Sequence, residues 1–143
     1  MHSKPRRPVQ PDPGWRPHLH GAPNSISTVP HWHSTEDEWF YIIKAGEGAR
    51  IVLYEDGNTE SREEEVKMGD FFGFPAATKI GHAYKTGADE MVYFVGGTRK
   101  EMDVAHYPAA KMKAVVDRTG PGLTYWTVKE EHVLTPKDQP FKK

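Results

Sequence analysis

Cysteine is absent from the 143 residues, which excludes a disulfide framework, a thiolate zinc cluster and a cysteine nucleophile. An excess of charge of either sign is lacking too: 19 lysines and arginines face 20 aspartates and glutamates, a formal net charge of −1. Without a basic surplus there is no electrostatic footprint for DNA or RNA and no strong field toward a membrane, so neither is expected as a partner. No apolar run approaches the length that spans a bilayer, and the first residues lack the apolar core of a secretory signal; the expected location is the cytoplasm. A Gly-rich phosphate loop and a nucleophile elbow are also missing, which argues against an NTPase or a serine hydrolase. Apolar residues make up a modest 36%, enough for one core but leaving no room for a second catalytic domain.

What the chain has is histidine in a pattern. In His31-Trp32-His33-Ser34-Thr35-Glu36-Asp37-Glu38, which runs into Trp39-Phe40-Tyr41-Ile42-Ile43, the two histidines stand two residues apart. On an extended strand they share a face, so both imidazoles can reach one ion. Glu38 can add an oxygen from the following turn, completing a nitrogen and oxygen set suited to zinc, iron, manganese, nickel or copper. Further on, Gly69-Asp70-Phe71-Phe72-Gly73-Phe74-Pro75 reads as a turn, a buried strand and a loop, and His82 opens the next strand as a third imidazole. Period-two alternation also puts Phe40 and Ile42 on the face of Glu38, and Tyr84 on the face of His82, as pocket-lining residues beside the ion. His18-Leu19-His20 repeats the spacing without a following carboxylate and reads as a surface pair; His106 and His132 read as structural.

Organisation follows from texture. Met1 to Pro23 is rich in proline and basic residues and reads as an arm without regular structure, with Trp15 and Leu19 able to dock it on the barrel or on a second subunit. Residues 24–107 carry short β-favouring runs, Trp39 to Ile43, Ala49 to Tyr54, Phe71 to Phe74, Ala83 to Lys85 and Met91 to Val95, separated by Gly- and Asp-containing turns. Residues 108–143 form a C-terminal extension: a short helical turn at Pro108 to Lys113, then strands at Ala114 to Val116 and Thr124 to Val128. Tyr125 and Trp126 are expected to pack on the barrel or on a partner subunit, and a homodimer is expected. Short strands at close spacing indicate an all-β antiparallel sandwich or jelly roll.

On these residues the chain resembles the cupin superfamily, and its small single-domain members of the conserved-barrel type. Their first motif has an H-x-H pair, a glutamate and a glycine-containing hairpin; their second has G-D-x-x, a proline and a histidine. The resemblance runs from about Asn24 to Thr98 and implies His31, His33, Glu38 and His82 as metal ligands. Ala45 stands in place of the motif's glycine, the loop from Pro75 to His82 is long, and Thr86 replaces an asparagine. Val95-Gly96-Gly97-Thr98-Arg99 and Asp103-Val104-Ala105-His106-Tyr107-Pro108 resemble the tail of such proteins.

The expected function is a metal-dependent enzyme acting on a small polar organic molecule inside the barrel, either an oxygenase or a Lewis-acid isomerase or lyase. The cofactor is one divalent transition metal ion, zinc or iron first, with manganese, nickel or copper as alternatives. The competing expectation is a non-enzymatic module that binds or senses a small ligand around a structural metal.

Overall fold

The computed structural model describes the backbone of residues 15–20 and all of residues 23–135 and 138. The strands are β1 (Trp15–His20), β2 (Trp32–His33), β3 (Glu38–Lys44), β4 (Arg50–Glu55), β5 (Arg62–Glu65), β6 (Phe71–Phe74), β7 (Ile80–Lys85), β8 (Met91–Gly97), β9 (Met102–Tyr107), β10 (Met112–Asp117) and β11 (Thr124–Lys129). They assemble into antiparallel sheets in the orders β1-β8-β3-β6, β11-β10-β9-β2 and β5-β4-β7. The result is an antiparallel β-sandwich of jelly-roll type. Among the described residues the one helical element is a 3₁₀ turn at Glu130–His132.

Two segments differ from expectation. The arm was expected to lack regular structure, yet Trp15–His20 forms an edge strand along β8, with Trp15 opposite Gly96 and His20 opposite Met91. Proline is tolerated on an edge strand, and the partner that supplies the hydrogen bonds lies over seventy residues away, beyond the reach of local pattern. The part of the arm before Trp15 lies outside the described residues. The helical turn expected at Pro108 to Lys113 is a tight hairpin, closed by the Lys111 N–H donating to the Pro108 carbonyl at 3.3 Å, with Lys111 at φ 51°. Ladder pairing with β9 draws Met112 and Lys113 into β10. β11 is an outer strand, and Tyr125 and Trp126 on it are more than half exposed.

The core lies between the sheets and is built by alternation. Along β3, Phe40 and Ile42 point inward and are buried while Tyr41 and Ile43 point out. They pack with Ile51 and Leu53 of β4, Tyr84 of β7, and Met91 and Tyr93 of β8. Burial of side chains this size stabilises the fold by about 1.5–3 kcal/mol each. The Glu63-Glu64-Glu65 run forms the exposed outer strand β5, where charge discourages edge-to-edge pairing with another chain.

Two glycines let strands meet where the site forms. A Cβ at Gly97 would stand 2.0 Å from the Asp37 carbonyl oxygen, and Gly97 faces Glu38 in the β3–β8 register. A Cβ at Gly81 would lie 3.2 Å from the His31 backbone nitrogen. Gly97→Ala is therefore expected to cost about 1–3 kcal/mol or more, because the obstacle is backbone and cannot swing aside. Urea denaturation would show this as a lower midpoint at unchanged slope; an unchanged midpoint would mean that β3 and β8 separate freely.

Candidate metal centre

The site is assembled by one long-range contact. His31 and His82 form an isolated antiparallel bridge, the His82 N–H donating to the His31 carbonyl at 3.2 Å. This pairing sets the two side chains beside each other on one face, with ring centroids 5.7 Å apart. His33 follows on the same face of the strand, its ring 5.1 Å from that of His31. Trp32 between them points the other way, buried, and stacks on the His106 ring at 3.7 Å. Glu38, at the start of β3, turns its carboxylate into this group: its Oε2 lies 2.8 Å from His82 Nε2 and 3.7 Å from His33 Nε2.

All four residues expected as ligands thus meet. His31, His33 and Glu38 each offer a ligand atom within 4.8 Å of the others, and His82 joins them through its hydrogen bond to Glu38. Phe40 and Tyr84 line the adjoining cavity of about 210 Å³. Ile42, expected beside the ion, is instead fully buried in the core. It shares the face of Glu38 but stands two pleats further along β3, where it fills the barrel interior.

The hydrogen bonds around the rings bear on whether a cation fits. A carbonyl can only accept, so His31 Nδ1 donates to the Val29 carbonyl at 2.9 Å and leaves Nε2 as the bare nitrogen. His33 Nδ1 donates to Asp103 Oδ2 at 2.6 Å, with the same result. Rings held this way present a lone pair to a metal and resist reorientation. His82 donates from Nε2 to Glu38, and its buried Nδ1 has no hydrogen-bond partner. No other contact requires its proton to stay on Nε2, so that nitrogen can be given up to a cation. Three imidazoles and one carboxylate, with no sulfur, fit a divalent metal of borderline softness.

Ionisation follows from the same contacts. Burial pulls the His31 pKa below its ordinary value, with the Val29 bond opposing in part. For His33 burial acts in the same direction, but the Asp103 hydrogen bond and the charges of Glu38, Asp103 and Glu36 outweigh it and the net shift is upward. Burial would raise Glu38, yet the His82 hydrogen bond and the three histidines hold it low. Asp103, its side chain fully buried, is opposed by desolvation and still held down at about 2 by His33 and by the Thr35 N–H and hydroxyl. A second acidic cluster, His33 with Glu36 and Asp103, shares a ligand with the first. Its carboxylates are already engaged, Glu36 by Arg118 at 2.5 Å and Asp103 by His33 and Thr35, so it serves to brace His33.

Asp103 and Arg99 are functional candidates that sequence reasoning missed. Both lie in the tail segments, but the weight of Asp103 shows only once β9 is known to pair with β2, placing Ala105 opposite His33 and Asp103 one pleat away.

His106 is a structural histidine, as expected. Its Nδ1 accepts from Lys113 Nζ at 2.8 Å and its Nε2 donates to Ser34 Oγ at 2.7 Å, so it cannot act as base toward Ser34. Burial first, then the Lys113 charge, lowers its pKa from 6.5 to about 4. Between those values the unfolded chain binds the proton and the folded chain does not. The stability contributed by neutral His106 is therefore present above pH 6.5 and lost as pH falls toward 4. Chemical denaturation in chelator should show a smaller acid loss in His106→Gln than in the parent; equal losses would assign the acid sensitivity to other groups.

The sequence profile of the family described as Cupin matches residues 18–114. No curated protein sequence matches the chain. Among solved structures, a protein of Acidithiobacillus ferrooxidans assigned as a sugar phosphate isomerase superposes with a TM-score of 0.62 at 23% identity, over 79% of this chain and 65% of that one. The chain thus spans slightly less than two thirds of that protein. A cupin-superfamily sugar phosphate isomerase of Silicibacter pomeroyi superposes with a TM-score of 0.59 at 25% identity, over 81% of this chain and 68% of that one.

Proposed function

The chain belongs to the cupin family, and from that premise we propose that it is a metal-dependent isomerase acting on a small hydroxylated carbonyl compound inside the barrel. His31, His33, Glu38 and His82 would hold one divalent transition metal ion. The observation that carries this reading is the convergence of three imidazoles on one carboxylate beside a cavity, with Nδ1 of His31 and His33 already committed elsewhere. Such an ion, when bound, supplies Lewis acidity that polarises a carbonyl or lowers the pKa of a bound water.

The chain's own residues supply the rest. Asp103 holds the His33 ring in place and in one tautomer. Phe40, Tyr84, Tyr93 and Val95 make a mostly apolar wall that limits water beside the ligand. Isomerisation is favoured over dioxygen chemistry by the Silicibacter pomeroyi neighbour, which is named a sugar phosphate isomerase. Zinc suits this chemistry because it is redox-inactive and accepts nitrogen with oxygen ligands. The test is metal analysis of untagged protein, followed by nuclear magnetic resonance of deuterium uptake from solvent at the carbon next to the carbonyl across a panel of sugars and sugar phosphates. Stoichiometric metal and label uptake lost on chelation would support the proposal. A bound metal without exchange or conversion would favour a ligand-binding module, and no metal after loading would overturn the centre.

A further inference from the structure

Beyond His31, Glu38 and His82 the cavity wall carries the polar side chains of Ser27, Thr28, Tyr84, Tyr93 and Arg99, of which Tyr84 and Arg99 stand out. Tyr84 is 2% exposed, wedged between the rings of Phe40 at 4.9 Å and Tyr93 at 5.1 Å, and its buried hydroxyl has no hydrogen-bond partner. A phenylalanine would pack there equally well without burying an unpaired hydroxyl, which disfavours folding. Tyr84 follows His82 by two residues on β7, so the two side chains share a face about 6.6 Å apart along the strand. A phenol keeps its proton at neutral pH, so the hydroxyl is able to donate. The other group is Arg99. It lines the same cavity, is exposed, and makes no hydrogen bond or ion pair among the described residues. The neighbouring cation Arg118, by contrast, is neutralised by Glu36.

We propose that the ligand is an elongated oxygenated anion, its phosphate or carboxylate held by Arg99 at the rim and a carbonyl or hydroxyl oxygen accepting from the Tyr84 hydroxyl within the barrel. This rests on the proposed active site, since the cavity is the same, but concerns binding and not turnover. A guanidinium matches either anion through paired N–H donors, so the source of the anion is left to the experiment.

The test is calorimetric titration with ribose 5-phosphate, ribonate and ribose, on the protein as purified and again after zinc loading. The anionic probes should bind at least about tenfold tighter than ribose. Arg99→Gln should abolish that preference and leave ribose binding unchanged. Tyr84→Phe should weaken all three probes by about two- to tenfold, keep the anionic preference, and leave the melting temperature equal or higher. Phosphate ahead of carboxylate would identify a phosphate ester as the ligand class, and the reverse order a sugar acid. Equal binding of the three probes, no binding, or variants indistinguishable from the parent would overturn the proposal. Failure of the metal centre reads out separately, as absence of zinc uptake while the Arg99-dependent preference persists in the protein as purified.

Discussion

Replacing His31 by alanine is expected to leave the purified protein with little bound metal. Four protein donors would hold the ion, and the apparent binding free energy of about 10–16 kcal/mol known for structural zinc-finger sites is an upper bound for nitrogen and oxygen donors. Losing one donor removes about a quarter of it, up to about 3 kcal/mol, which is an affinity loss of up to about two orders of magnitude. His31 suits the experiment because it is only partly buried at the cavity wall, so the fold should survive. His82→Ala should strip the ion as well, but His82 is 2% exposed and stacked on Phe74 at 3.7 Å. Its removal opens a core cavity and lowers stability on its own account. Thermal melts separate the two effects. Chelator should lower the melting temperature of the parent, since a ligand bound only to the folded state stabilises it by mass action, and should leave His31→Ala unmoved. Full metal content in both variants would refute the centre.

The second large effect is expected at Asp103, which does not line the cavity beside the metal centre. Its Oδ2 takes the His33 Nδ1 proton and its Oδ1 takes two hydrogen bonds from Thr35, one from the N–H and one from the hydroxyl. Asp103→Asn keeps the shape and removes the charge, so the amide can turn its NH₂ toward His33 and favour the tautomer with a bare Nδ1. Metal affinity should fall about 10- to 100-fold, the usual cost of losing a partner that orients a ligand imidazole. Competition against a chromophoric chelator measures it. Stability should fall by about 1–3 kcal/mol, because a buried hydrogen-bond network is left imperfectly satisfied. Unchanged affinity alongside lowered stability would make Asp103 a fold residue only.

Much of the site could be read from local pattern. The H-x-H spacing and a strand period of two put His31 and His33 on one face, and the same period put Phe40 with Glu38 and Tyr84 with His82. The strands β3, β4, β6, β7 and β8 announce themselves through β-branched and aromatic runs between turn residues. β1 and β5 do not. β1 is proline-bearing, and β5 is almost wholly charged; each is an outer strand held by the partner it pairs with.

The sequence by itself determined what its covalent order controls: which residue types are present to bind a metal, which are missing, and which side chains alternate onto a common face. The tertiary structure alone decided which faces meet. His31 opposite His82, Asp103 behind His33 from seventy residues away, Arg99 at the cavity rim and the unpaired hydroxyl of Tyr84 all depend on the register between distant strands. That register is set by burial of the inward faces and by close approaches at Gly81 and Gly97. These are collective properties of the packed sheets. A window of neighbouring residues carries no trace of them, because the loop-closure entropy of distant pairing is recovered only when the whole core forms.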